Sequence, residues 1–296
     1  MAAKQLTTDH IIARPDELPS LPSIVYELGR VVNDPKSSTN DVEKIMSNDV
    51  GLTGKVLRLV NSAYYSIPGG VSSLSRAIAY IGFDTVNQLV LSTSILKALE
   101  VQGPSTFDLT NLWKHAVGAG IAAETIAKKV GHPQPVDLFT SGLLHDMGKI
   151  ALYSLEPETM LRIIELCQTS KVSYFEAETQ LGIPGHSVIG EALALKWNLP
   201  LHVRSVIRYH HVKEHGQRGG LTTDVNRNID IVFLANILIH ALKFGNSGHD
   251  KILGAPKDLL ERLTISPEHD LKPLIQQIKL NMDHAQEFLR VLGTKA

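Results

Sequence analysis

Ser141-Gly-Leu-Leu-His145-Asp146-Met-Gly-Lys149-Ile150 decides how this chain is read, because it sets an imidazole beside a carboxylate in otherwise apolar sequence. Phe139, Leu143, Leu144 and Ile150 recur at helical spacing, which predicts one helix on which His145 and Asp146, about 100° apart, lean toward one point off the axis. A metal ion can sit at such a point. Lys149 lies one turn beyond His145, so its ammonium looks into the same cavity and can meet a phosphate or carboxylate there. A lone His-Asp pair is better explained as a satisfied histidine in a polar pocket or a helix-end contact, so the reading needs more ligands.

Other stretches supply them. His115 lies in Leu112-Trp-Lys-His115, His186 follows the Gly182-Ile-Pro-Gly185 break, and His210 and His211 close an apolar segment. Mixed nitrogen and oxygen ligation without thiolate suits iron, manganese, nickel or zinc. The sole cysteine, Cys167, cannot build a zinc ribbon or a sulfur cluster.

Composition narrows the class. A chain of 296 residues with 43% hydrophobic content can bury a sizeable core in one or two lobes. With 29 basic against 30 acidic residues it has no global basic field to draw in nucleic acid or anionic lipid. One cysteine allows no internal disulfide, and the start Met1-Ala-Ala-Lys-Gln-Leu6 lacks an apolar signal core. No apolar run is expected to approach the ~20 residues of a membrane span, so the expectation is a cytoplasmic protein with no membrane partner.

Periodicity is helical throughout and no strand-period segment exceeds a few residues, so the fold class is all-α. Pro15, Pro19 and Pro22 break the lead-in, and Asp34-Pro35 stops a first helix that includes Ile24 to Leu28. Asn40 with Glu43 reads as a capping box for a short helix, and Leu52, Val56, Leu59 and Val60 mark the next. This helix, turn and helix could enter a DNA groove, but the second helix carries only Lys55 and Arg58 as cations, so DNA is not expected as a partner. Gly82 ends a helix from Ser73, Asp84 can cap the next, and Val86 to Leu99 is dense enough in apolar residues to be buried on most sides. Gly103-Pro104-Ser105 is the expected boundary between an N-terminal lobe, 1–103, and a core, 104–296.

Thr110 is the expected cap of a long helix reaching Val130, and its Gly118, Ala119, Gly120, Ala122 and Ala123 invite close approach by the helix bearing His145. Ser173 and Glu176 form a second capping box. His215 to Asp224 reads as a mobile loop. Ile229 to Leu242 is strongly apolar, with Asp230 and Asn236 as its notable polar residues. Ser266-Pro267-Glu268 starts a last helix running to about Leu292.

Leu18-Pro-Ser-Leu-Pro22, Asn48-Asp-Val-Gly-Leu52, Leu59-Val-Asn-Ser-Ala63, Ala77-Ile-Ala-Tyr-Ile-Gly82, Gly142-Leu-Leu-His-Asp-Met-Gly-Lys149, His186 with Gly190, Trp197 with Pro200, and His210-His211 occur in that order. Over residues 18 to 215 this ordered set resembles HDOD-domain proteins, bacterial signalling relatives of the HD phosphohydrolases. The resemblance implies a multi-helix fold with an N-terminal helical lobe packed on an HD-like helical core. It carries metal-ligand roles to His115, His145 and Asp146, and to Asn236 where the HD enzymes have a second aspartate. His186, His210 and His211 match additional ligands of the HD-GYP cyclic-di-GMP phosphodiesterases, and Lys149 matches a catalytic lysine near substrate phosphate. The Gly-Tyr-Pro signature of those enzymes is absent, replaced by Val212 to Gly220. The implied function is a regulatory signal-transduction module that binds a partner protein or a nucleotide and holds one or two divalent or transition-metal ions. The alternative is a metal-dependent phosphohydrolase acting on a nucleotide or cyclic dinucleotide.

Overall fold

In a computed structural model of the chain, the described residues are 21, 23–32, 38–99, 107–284 and 289–290. Every regular element among them is helical, as the absence of period-two patterning requires. Ser20–Glu100, together with the chain from Lys279 on, forms one compact grouping, here the N-terminal unit. Val101–Ile278 forms another, the central unit. The Gly103-Pro104-Ser105 boundary, the proline-broken lead-in up to Ser20 and the Asp34-Pro35 stop lie outside the described residues.

The N-terminal unit holds α1 (Ser23–Val32), α2 (Thr39–Met46), α3 (Val50–Val60), α4 (Leu74–Ile81) and α5 (Phe83–Ala98). The α5 helix is buried on most sides and packs on α1, α3 and α4 through residues such as Val86, Leu89, Val90 and Ile95. The capping box of α2 is Ser38 with Asp41, not Asn40 with Glu43. Glu43 is used elsewhere: its carboxylate accepts the Ser75 N–H at 2.9 Å and ties α2 to the start of α4. Asn61 donates to the Val71 carbonyl at 2.8 Å and accepts the Val71 N–H at 2.7 Å, which closes the turn after α3.

The central unit contains α6 (Leu109–Lys129), α7 (Pro135–Leu144), α8 (Met147–Leu155), α9 (Pro157–Ser170), α10 (Tyr174–Leu181), α11 (His186–Lys196) and α12 (Leu201–Tyr209). A 3-10 turn at His215–Gln217 precedes α13 (Thr223–Leu242), α14 (Lys257–Arg262) and α15 (Leu271–His284), the last belonging to this unit as far as Ile278. Asp108, not Thr110, caps α6, its Oδ1 accepting the Asn111 N–H at 3.0 Å. The small-residue face of α6 does bring a neighbour in closely: a Cβ on Gly142 of α7 would lie 2.7 Å from the Ala119 carbonyl oxygen. The last helix begins at Leu271, because Asp270 turns back to accept the Ser266 N–H at 2.9 Å and holds 267–270 as a turn.

The expectation of no spanning-length apolar segment fails on composition alone, since α13 has 20 residues with mean hydropathy 1.2 over its best window. Most of that window is buried, with α13 packed against α6, α7 and α12.

The expected mobile loop at 215–224 is also corrected. Arg218 from that loop is fully buried and donates to the Val212 carbonyl at 2.7 Å and to Asp230 Oδ1 of α13 at 2.7 Å. Asp230 binds Arg262 Nε at 2.7 Å as well, so two guanidiniums and the His215 ring, at 2.9 Å, converge on one carboxylate.

Helices α8 and α11 touch backbone to backbone at Gly148 and Gly190. A Cβ on Gly148 would overlap the His186 carbonyl and lie 2.7 Å from the Gly190 nitrogen. Backbone cannot yield as a side chain can, so Gly148→Ala is expected to cost about 3 kcal/mol and to lower the melting temperature by several degrees. Parent-like melting would mean the helices have room to part.

Candidate metal centre

The doublet at the heart of the site is not on one helix. His145 is the last residue leaving α7 and Asp146, at φ −100° and ψ 10°, the first entering α8, so the two lie at a break. Apolar periodicity continues across this break, which is why the stretch reads as a single helix. The break points both side chains inward, where they meet His115 from α6, His186 from α11, and His210 and His211 from the end of α12.

Two ligand groups result. His115, His145 and Asp146 form one; Asp146, His186, His210 and His211 form the other, and within each the ligand atoms lie within 4.8 Å of one another. Asp146 belongs to both. Its Oδ2 faces His145 Nε2 at 3.4 Å and His115 Nε2 at 4.0 Å, and its Oδ1 faces His186 Nε2 at 3.2 Å and His210 Nε2 at 3.6 Å. His145, His186 and His210 are inaccessible to solvent, and His211 alone of the set is half-buried.

Partners on the outer side of the rings set which nitrogen faces the centre. His145 Nδ1 donates to the Gly142 carbonyl at 2.6 Å, His186 Nδ1 to Glu178 Oε2 at 2.9 Å, and His210 Nδ1 to the Ile207 carbonyl at 2.9 Å. In a neutral imidazole that leaves each Nε2 with a lone pair turned inward, the arrangement that metal-bound histidines adopt. Burial, with the neighbouring histidines, holds His115 and His211 well below the usual histidine range, and burial brings His210 down to about 4. For His186 burial also acts downward, but Glu178 and Asp146 outweigh it and raise the value. Burial pushes the Asp146 carboxyl upward, yet His145 and Lys149 hold it well below the carboxylate range.

The donor set fits a cation. His186 Nε2 lies 3.2 Å from His210 Nε2, so two lone pairs confront one another, and His211 Nε2 comes within 3.0 Å of the same His186 nitrogen. His145 Nε2 and Asp146 Oδ1 are buried without a hydrogen-bond partner, a costly state that an ion in each of the two groups would relieve.

Asn236 is brought to the cluster as an acceptor beside His115, its Oδ1 3.0 Å from Nε2. Lys149 is also there, but its ammonium is bonded to Asp146 Oδ2 at 2.7 Å and to the Ser247 carbonyl at 3.0 Å, and it lies 4.5 Å from the centre of the Tyr174 ring. Sequence reasoning missed Glu178, Tyr174 and Ser247, and also His240 and His249. The His240 ring lies 4.5 Å from that of His115 and 4.3 Å from that of His249. An acid eight residues before His186 was the one signal available for Glu178.

Comparison with known proteins agrees with this architecture. The HDOD domain model matches residues 18–213. An uncharacterized protein of Treponema pallidum (strain Nichols) is 30% identical over 278 residues, 93% of this chain and 52% of that protein, so the chain spans about half the length of this curated relative. An HDOD domain protein of unknown function from Geobacter sulfurreducens superposes with TM-score 0.73 at 24% identity, covering 97% of this chain and 95% of that one. A protein described as a candidate signal transduction protein from Marinobacter aquaeolei VT8 gives TM-score 0.76 at 19% identity, covering 99% of this chain and 62% of that one. A candidate phosphohydrolase from Shewanella amazonensis SB2B gives 0.71 at 24% identity, covering 95% and 97%. At these identities the structural likeness speaks for the fold alone. The family match extends over most of the chain and includes His115, the His145-Asp146 doublet, His186 and the tandem histidines, and the chain therefore belongs to the HDOD-domain family.

Proposed function

We propose that the chain is a regulatory signal-transduction module of the cytoplasm whose central unit holds two divalent transition-metal ions and uses that centre to bind a nucleotide or a partner protein. The observation that carries this reading is the sharing of Asp146 by two histidine groups, in which Gly142, Glu178 and Ile207 already select the inward nitrogens of His145, His186 and His210. His115, His145 and Asp146 would hold one ion, and Asp146, His186, His210 and His211 the other. Iron, manganese, nickel and zinc suit such a set, and ions of this kind polarise phosphate oxygens.

Binding is favoured over turnover by three features. The Lys149 ammonium is committed to Asp146 and Ser247, the cluster is buried except at His211, and Asn236 is a neutral amide where the resemblance calls for a carboxylate. The phosphohydrolase reading draws on the same ligand set with a lysine beside it. Elemental analysis of protein prepared without a histidine tag is the test, paired with a turnover assay across mono- and cyclic dinucleotides. Metal at about two equivalents per chain, without turnover, is expected. Protein that retains no metal after reconstitution would refute the centre, and steady hydrolysis lost in His145→Ala would turn the assignment to the enzyme.

A further inference from the structure

The two ligand groups that share Asp146 are not equivalent. Asp146 Oδ1, which faces His186 and His210, is buried without a hydrogen-bond partner and is free to take an ion. Asp146 Oδ2, which faces His145 and His115, already carries the Lys149 ammonium at 2.7 Å. The nitrogens divide the same way. His186 and His210 turn bare Nε2 atoms inward, whereas His115 Nε2 donates to Asn236 Oδ1 at 3.0 Å. Of the nitrogens in the first group that face Asp146, only His145 Nε2 is uncommitted.

Lys149 is buried, so water does not screen its charge. Its ammonium is held by Asp146, by the Ser247 carbonyl at 3.0 Å and by the face of Tyr174. A divalent ion in the first group needs the same Asp146 oxygen, and two cations a few ångströms apart repel far more strongly in the interior than in water. Lys149 is therefore a built-in competitor for that group, which fills only when the ammonium gives up Oδ2. An ion on Oδ1 leaves that bond in place.

We propose that Asp146 Oδ1, His186, His210 and His211 keep a resident ion, while His115, His145 and Asp146 Oδ2 form a sensory site for an exchangeable divalent transition-metal ion that displaces Lys149. This rests on the two-ion reading of the proposed function and adds which ion is the signal. The output is the loop after α13. Ser247, which anchors Lys149 through its carbonyl, also gives its hydroxyl to His240 at 3.1 Å. Gly248, at φ +101°, lies so close to Tyr174 that a Cβ there would come within 2.9 Å of the ring. The chain then surfaces at Asp250, with Ile252 and Leu253 exposed beyond it. Release of Lys149 from Asp146 thus pulls on a loop that ends in an apolar surface pair.

Manganese(II) added to the chelator-stripped full chain, with the free ion counted by electron paramagnetic resonance, tests this. Two classes of site, one ion each, are expected to differ about 100-fold in affinity, and both fill with manganese in excess. His186→Ala should remove the tight class and His145→Ala the weak one. Lys149→Met should narrow the gap to less than about tenfold. Backbone hydrogen exchange over 246–253, read by mass spectrometry on the parent chain, should change with the second equivalent of manganese and not with the first. Equal affinities in the parent, loss of the tight class in His145→Ala, an exchange response complete at the first equivalent, or an unchanged gap in folded Lys149→Met would overturn the proposal and leave the two-ion centre standing. A parent chain that binds no manganese would overturn both.

Discussion

Protein carrying Asp146→Ala is expected to lose both metal equivalents at once, whereas His145→Ala and His186→Ala should each lose one. The difference follows from membership: His145 belongs to one ligand group, His186 to the other, and Asp146 to both. Changes to outer partners alone cost about 10–100-fold in metal affinity, and loss of a shared inner ligand should exceed that. A second consequence is in stability. Without Asp146 the Lys149 ammonium, 2% exposed, would face the Ser247 carbonyl and the Tyr174 ring without a counter-charge. An uncompensated buried charge of this kind costs about 3–5 kcal/mol. The double variant Asp146→Asn with Lys149→Met should therefore regain most of the stability but none of the metal. Elemental analysis and urea unfolding read the two effects separately. Full metal retention in Asp146→Ala would sink the shared-ligand reading.

Asp230→Ala should destabilise the central unit by a similar amount, about 3–5 kcal/mol, out of a total that for most domains is only about 5–15 kcal/mol. Arg218 is fully buried and Asp230 is the carboxylate it touches. Arg218→Met in the same chain should recover much of the loss, because Arg262 is partly exposed and water can take over its charge. The pH dependence has a definite sign. Burial pushes the Asp230 carboxyl upward, but hydrogen bonds from Arg262, His215 and Arg218 outweigh it and hold the folded value below the ordinary 3.8. A carboxyl depressed on folding contributes stability above its unfolded value and loses it as the pH falls through the folded one. The gap between parent and Asp230→Ala should thus be level above about pH 5 and shrink below about pH 4. A gap that persists unchanged at lower pH would show that packing, not the ion cluster, carries the effect.

Some of this was legible in the chain. The small residues from Gly118 to Ala123 announced a close helix contact, and Gly142 meets them at Ala119. The Ser173 and Glu176 capping box is formed as read, with the Ser173 N–H donated to Glu176 Oε2 at 2.7 Å. The break at His145-Asp146 was not legible, since hydrophobic spacing reports burial and both flanking helices are buried. Nor was the staple from Arg218 to Asp230, whose loop has the glycine-rich, charged composition of exposed chain. Loop composition describes how residues behave in water, and here the loop's arginine is withdrawn from it.

By itself the sequence determined an all-helical chain with no thiolate centre and a stock of imidazoles around one His-Asp pair. Only the tertiary structure decided which histidines meet and which nitrogen each turns inward. The physical reason is that an imidazole's inward lone pair depends on what its other nitrogen donates to. For His186 that acceptor is Glu178 from the preceding helix, and for His145 and His210 it is a carbonyl that turns toward the ring only where the helix ends.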